Sequence, residues 1–302
     1  MKKEDSVKRG DTMIKIGLIG TQSMHAWAFA ESCNKPDADG KYRFPDARVT
    51  ALYGVDDEEE HIQYTMEKGN VPVRVNSLGE LCEHCNAFMI LQRRGGEHIP
   101  YAVELIRKGY PVFIDKPVCR TAEEVEILKK LAAESGAVIC GGSGMKRDIQ
   151  LKELKQQMEE SAFGQIRGAT INHSADMDSP YDGIFFYLPH AVEMMLELFG
   201  YDPKSVSTTV LAHDNFTVCV KYENYLVNLA INGTSPTYVV INGEKSAVVQ
   251  VGGSDIFLET MKDFVEAIAG NQVNRDVGAL TKSISVILAI QESIESGREV
   301  GI

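Results

Sequence analysis

The 302-residue chain lacks several things, and each absence narrows its possible roles. No run approaches the roughly 18 to 20 consecutive apolar residues that cross a bilayer, so no membrane association is expected. Six cysteines, Cys33, Cys82, Cys85, Cys119, Cys140 and Cys219, are too scattered for a disulfide framework at this length. They read as reduced thiols of a cytoplasmic protein. Basic residues are in deficit, 31 Lys plus Arg against 43 Asp plus Glu, for a formal charge of −12. Nonspecific binding to nucleic acid draws its affinity from counterion release by basic groups, and a chain this acidic is a poor candidate for it. Residues 1–12, MKKEDSVKRGDT, contain no apolar stretch after their lysines. They are expected to be a polar extension rather than a secretory signal. GxSxG, HExxH and P-loop patterns are missing, as are internal repeats.

What is present has ordinary globular composition, 44% hydrophobic and 25% charged, with a length that suits about two domains. From Met13, short β-rich runs alternate with helical stretches. Strands are expected at 14–19, 49–55, 71–75, 87–91, 111–114 and 137–140, and helices at 24–33, 58–68, 99–108 and 122–135. That rhythm implies right-handed crossovers and a doubly wound parallel sheet of Rossmann type. Beyond about residue 150, strands follow one another at 165–174, 205–211, 217–222, 226–232, 238–241 and 247–251. Their turns include Asn232-Gly233 and Asn242-Gly243-Glu244. This is the pattern of a mainly antiparallel open sheet, flanked by helices at 191–199, 256–269 and 282–296. The expected architecture is α/β: a polar extension (1–12), a dinucleotide-binding domain (13–145) and a second α+β domain (146–302).

Four segments can carry chemistry. The first strand runs into Gly20-Thr21-Gln22-Ser23-Met24-His25. A strand, turn and helix in that order is the setting in which glycines let backbone amides approach a pyrophosphate. Gln22 and His25 stand where GxGxxG has its second and third glycines, which leaves Thr21, Gln22 and Ser23 as phosphate donors. Asp56 follows the second strand, where a carboxylate accepts from ribose hydroxyls and favours NAD over NADP. It lies 36 positions after Gly20, and the polar insertion at 34–46 accounts for the excess over the usual spacing of about 20. In Phe113-Ile114-Asp115-Lys116-Pro117 a lysine leaves a buried strand at the carboxyl edge of the sheet. In 181–200, His190 opens a helix, where the positive dipole end favours the neutral imidazole. His190 and His98 are the two strongest candidates among seven histidines. Cys82-Glu83-His84-Cys85 has CxxC spacing, but no second ligand pair lies at zinc-finger distance, so no metal is expected.

Taken together these segments resemble the Gfo/Idh/MocA family of NAD(P)-dependent sugar and cyclitol oxidoreductases. The resemblance covers Met13 to Ile302 and rests on the order of parts: the first-strand turn, a run ending at His98, Ile114-Asp115-Lys116-Pro117, and His190 leading a helix that ends Leu198-Phe199-Gly200. It implies that NAD lies against Gly20, Thr21, Gln22, Ser23, Met24, Asp56, Gln92, Arg93, His98 and Asp115. It implies that Lys116 and His190 share the proton work on the reacting oxygen, and that a polyol or sugar-like substrate meets Lys116, Lys146, Arg147, Asp182, Tyr187 and His190. It also implies a homodimer or homotetramer through the second sheet. Three departures stand out. The family's Glu-Lys-Pro is Asp-Lys-Pro. Its Asp four residues before the histidine is Phe186. Its small-Pro-polar segment is Gln92-Arg93-Arg94-Gly95-Gly96. The departures leave two alternatives: a non-catalytic nucleotide- or sugar-binding member, or a NAD-retaining lyase or epimerase.

Overall fold

The computed structural model describes residues 13–233, 236–253, 255–272 and 277–302. The expected polar extension, 1–12, lies outside the described residues. Six parallel strands form the first sheet: β1 (Ile14–Ile19), β2 (Ala47–Tyr53), β3 (Val73–Val75), β4 (Ala87–Ile90), β5 (Val112–Ile114) and β6 (Ile139–Gly141). Their spatial order is β3-β2-β1-β4-β5-β6. Strand order reverses between β1 and β4, which opens a crevice at their carboxyl ends where ligands of such sheets bind. Both faces of this sheet are covered, so β4 and β5 are buried along their whole length and read as continuous apolar runs. The covering helices are α1 (Met24–Asn34), α2 (Glu59–Gly69), α3 (Leu78–His84), α4 (Ile99–Arg107) and α5 (Ala122–Glu134). Their starts are fixed locally. Ser23 accepts from the His25 amide at α1, and Thr121 and Glu124 form a reciprocal capping box at α5.

Helix α3 carries the CxxC segment and explains its spacing. Leu81 and Cys85 pack against Gly17 of β1, where an added Cβ would lie 3.0 to 3.1 Å from them. The Cys85 Sγ sits 3.3 Å from Thr50 Oγ1, and burial raises both thiols above their ordinary pKa. The motif is a packing contact of the sheet.

After α6 (Ile149–Glu159) comes the second sheet. It comprises β7 (Gly168–His173), β8 (Ser205–Ala212), β9 (Asn215–Lys221), β10 (Leu226–Ile231), β11 (Thr237–Asn242), β12 (Ser246–Val251) and β13 (Val300–Gly301). The order is β12-β11-β7-β10-β9-β8-β13, antiparallel throughout except for the β7–β10 pair. Helices α7 (Leu188–Phe199) and α9 (Val277–Ser296) pack against it. Its other face leaves Leu211 82% and Val248 70% exposed.

Two helices depart from the sequence expectation. α8 (Ile256–Ala269), assigned by sequence to the second domain, returns to α1 and buries Met261, Phe264 and Ala267 in the first domain's core. α9 has the length and mean hydropathy of a membrane span, which the run-length criterion did not detect. Its apolar side packs on α5, α7 and β8.

Candidate active site

The crevice is built from the ends of β1, β4, β5 and β6, and the second domain closes it. At the β1 end, Gly20 adopts φ +88°. A Cβ there would come 2.8 Å from Gln92 Cγ, so only glycine lets the turn lie against the end of β4. Thr21 is buried, and both its amide and its hydroxyl donate to Asp57 Oδ2, the latter at 2.8 Å. Asp57 is therefore the carboxylate that reaches the turn. Asp56, favoured from sequence, is exposed. Val55, immediately before the two acids, has φ +53°. Ser23 is the cap of α1, Gln22 is half-buried and Met24 is exposed.

His25 occupies the position of the third glycine. Its Nδ1 lies 2.6 Å from Asp115 Oδ2, and its ring meets those of Phe29 and Phe257 edge-on at 6.0 and 5.2 Å. The side chain is accommodated because α8 supplies Phe257 beside α1. Asp115 is buried at the end of β5. Burial raises its carboxyl, but the His25 ring and the Lys116 ammonium outweigh that and hold it below the usual range.

Lys116 is buried, and its Nζ donates to the Phe186 carbonyl at 3.1 Å. The ammonium also lies 4.3 Å from the Phe186 ring centroid and 5.4 Å from that of Tyr187. Phe186 thus meets the lysine with a carbonyl and a ring face, where the family resemblance places a carboxylate. Burial lowers the Lys116 pKa and nearby Arg93 adds to this, against Asp115 and Glu193. His190, in the first turn of α7, is held by Ser143 Oγ 2.6 Å from its Nδ1. Burial and then the charge of Lys116 push it well below the ordinary histidine value, so it is neutral at pH 7.

His173 joins this group without having been singled out in the sequence. It ends β7, its Nδ1 is 2.8 Å from Thr237 Oγ1 of β11, and its ring centroid is 5.5 Å from that of His190. Its Nε2 is buried without a hydrogen-bond partner among the described residues, and burial lowers its pKa to about 4. The sequence signal was a histidine closing an alternating strand. Only the pairing of β7 with β11 shows where it points.

Other expected residues are engaged elsewhere. Lys146 pairs with Glu193 at 3.1 Å inside the protein. Arg147 pairs with Asp263 of α8 at 2.9 Å and donates to the Ser143 and Gly141 carbonyls. Asp182 accepts from Gly95 N and from Arg120, both at 2.9 Å, and clips the two domains together. His98 is fully buried, with its Nε2 2.7 Å from the Gln92 carbonyl, and so holds the loop after β4 in place. Tyr187 borders the cavity. The cavity itself is about 760 Å³ and extends from Ser23–His25 to His173 and Thr237.

Residues 14–143 match the Gfo/Idh/MocA profile, described as an oxidoreductase family with an NAD-binding Rossmann fold. The scyllo-inositol 2-dehydrogenase (NADP(+)) IolW of Bacillus subtilis strain 168 is 25% identical over 145 residues. That match covers 44% of this chain and 40% of IolW, so it spans less than half of the curated relative. The fold is shared over nearly the whole length with the scyllo-inositol dehydrogenase of Lactobacillus casei solved with NAD(H) and scyllo-inositol. There the TM-score is 0.80 at 16% identity, over 96% of this chain and 99% of that one. The myo-inositol 2-dehydrogenase of Lactobacillus plantarum gives a TM-score of 0.80 at 14% identity, over 96% and 100%.

Proposed function

With residues 14–143 carrying the NAD-binding Rossmann domain of Gfo/Idh/MocA oxidoreductases, we propose that the protein is a NAD-dependent dehydrogenase of a cyclitol- or sugar-like polyhydroxylated substrate. The observation that carries this reading is the convergence of Lys116 and His190 in one cavity at the strand-order reversal. The β1 turn fits a dinucleotide. Gly20 leaves room at the end of β4, and two buried oxygens at that edge, Asp57 Oδ1 and Gln92 Oε1, have no hydrogen-bond partner among the described residues. Asp57 beside the turn would accept from ribose hydroxyls, and Gln22 and Ser23 would donate to phosphate, the Thr21 donors being engaged by Asp57. When bound, the cofactor supplies the hydride acceptor or donor.

The chain's own residues handle the proton. The Lys116 ammonium, stripped of water and facing the Phe186 ring, donates a hydrogen bond to the reacting oxygen and stabilises charge developing there. Ser143 Oγ accepts from the Met145 amide at 3.0 Å and, through its second lone pair, from the Nδ1–H of His190 at 2.6 Å, which leaves the Nε2 lone pair to act as the base. His190 then presents a neutral imidazole to the substrate and exchanges the proton with it. Such general acid–base work is typically worth about 10²–10⁴-fold in rate.

Calorimetric titration with NAD⁺, NADH, NADP⁺ and NADPH tests the cofactor half of this reading. Micromolar binding of the NAD pair is expected, and binding of none of the four refutes it. Lys116→Ala should lower turnover by about 10²–10⁴-fold while the NADH affinity stays within about twofold. Wild-type turnover in that variant would remove Lys116 from the chemistry.

A further inference from the structure

The charges around the cavity point to more than a neutral polyol. Its wall contains His25, Arg93, Lys116, His173 and His190 and, among the described residues, no aspartate or glutamate. The chain as a whole carries a formal charge of −12, so a wall without a single carboxylate is opposite to the protein's average. A site for a neutral polyol needs acceptors for hydroxyl protons, and carboxylates are the strongest available. The two carboxylates nearest Lys116 are both taken: Asp115 by His25, and Glu193 by Lys146 and the Ser143 amide.

Arg93 is the distinctive member of this wall. Its guanidinium lies 4.6 Å from the Tyr181 ring centroid, which positions its planar fork. Tyr181 in turn packs on Phe186 at 4.9 Å, so Arg93 leans toward the second-domain wall and the lysine beneath it. Among the described residues no carboxylate lies within ion-pair distance of Arg93. Neighbouring Arg94 instead meets Glu97 at 3.7 Å and the Pro180 carbonyl at 3.3 Å. An arginine stacked in place, half-buried and unmatched in charge is a preorganised receptor for a planar or tetrahedral anion.

Building on the dehydrogenase reading, we propose that the substrate is a polyhydroxylated molecule bearing one acidic group, carboxylate or phosphate, which Arg93 binds. The acid fixes the end of the molecule away from the reacting carbon, and Lys116 and His190 receive the hydroxyl.

The test is calorimetry on the full chain, with and without saturating NADH. Probes are matched pairs: glucuronate and gluconate as carboxylates, glucose 6-phosphate as the phosphate, and glucose and myo-inositol as neutral partners. The acidic member should bind about 10- to 100-fold more tightly than its neutral counterpart, the range of a charged hydrogen-bonded pair. The stronger of the carboxylate and phosphate arms identifies the group. Arg93→Gln should abolish the preference and Arg93→Lys should keep part of it, with NADH affinity unchanged in both. Equal binding of acidic and neutral probes to the wild type, or binding of neither, overturns the proposal. So does a loss in Arg93→Gln that falls on NADH, which would make the cofactor's phosphates the partner. Failure of NADH to bind the wild type refutes the dehydrogenase reading alone, because the cofactor-free titration still reads the preference for acid.

Discussion

Lys146→Met separates two roles for a lysine that sequence reasoning placed on the substrate. Lys146 is 9% exposed and its partner Glu193 only 3%. The Glu193 Oε2 accepts from Lys146 Nζ at 3.1 Å and from the Ser143 amide at 2.9 Å. Methionine preserves most of the volume of the side chain but removes the charge. One buried carboxylate is then left with a single amide to balance it. Removing one partner of a buried ion pair typically costs about 3–5 kcal/mol. The double variant Lys146→Met/Glu193→Gln removes both charges while the amide oxygen can still accept from Ser143, so it should recover most of that loss. The assay is urea unfolding followed by circular dichroism for the wild type, both single variants and the double variant, read as a double-mutant cycle. A wild-type urea midpoint for Lys146→Met, with a large rise in substrate KM, would refute the structural assignment. Lys146 would then face the substrate after all.

Two further outcomes follow from the site. Asp57→Ala should weaken dinucleotide binding by about tenfold, the worth of a charged hydrogen bond, while Asp56→Ala leaves it unchanged. Calorimetry with NADH decides between them, and the reverse ranking would restore Asp56 as the ribose acid. Stability should also fall with acid through His173, whose pKa is lowered by burial from 6.5 to about 4. The unfolded chain binds this proton more readily than the folded one. The stabilisation from keeping the ring neutral is therefore complete above about pH 6.5 and lost as pH falls to 4, about 3 kcal/mol in all. Urea midpoints between pH 7 and 4 should fall less steeply in His173→Gln than in the wild type, and equal slopes would exclude His173 as a contributor.

Much of this protein is legible in its amino-acid order alone. The doubly wound half shows because a sheet covered on both faces demands unbroken apolar strands, as in Ala87–Ile90 and Val112–Ile114. Spaced strands and turn residues likewise announced the antiparallel half, although not its parallel β7–β10 pair. Lys116 and His190, which the fold brings to one cavity, are singled out in the sequence by the order of motifs, each next to a local signal: the end of a buried strand and the start of a helix. Tertiary structure decided what each charge meets. Asp115 meets His25 across 90 positions, Ser143 meets His190 across 47, and Arg147 meets Asp263 across 116. No local pattern encodes such partners, because a charge is stabilised by whatever the fold brings within a few ångströms. Lys146 and Arg147 suit a substrate ligand by type and position, and the fold sets them against Glu193 of α7 and Asp263 of α8. His173 entered the site only through the pairing of β7 with β11, and it is Asp57 rather than Asp56 that the fold bonds to the β1 turn.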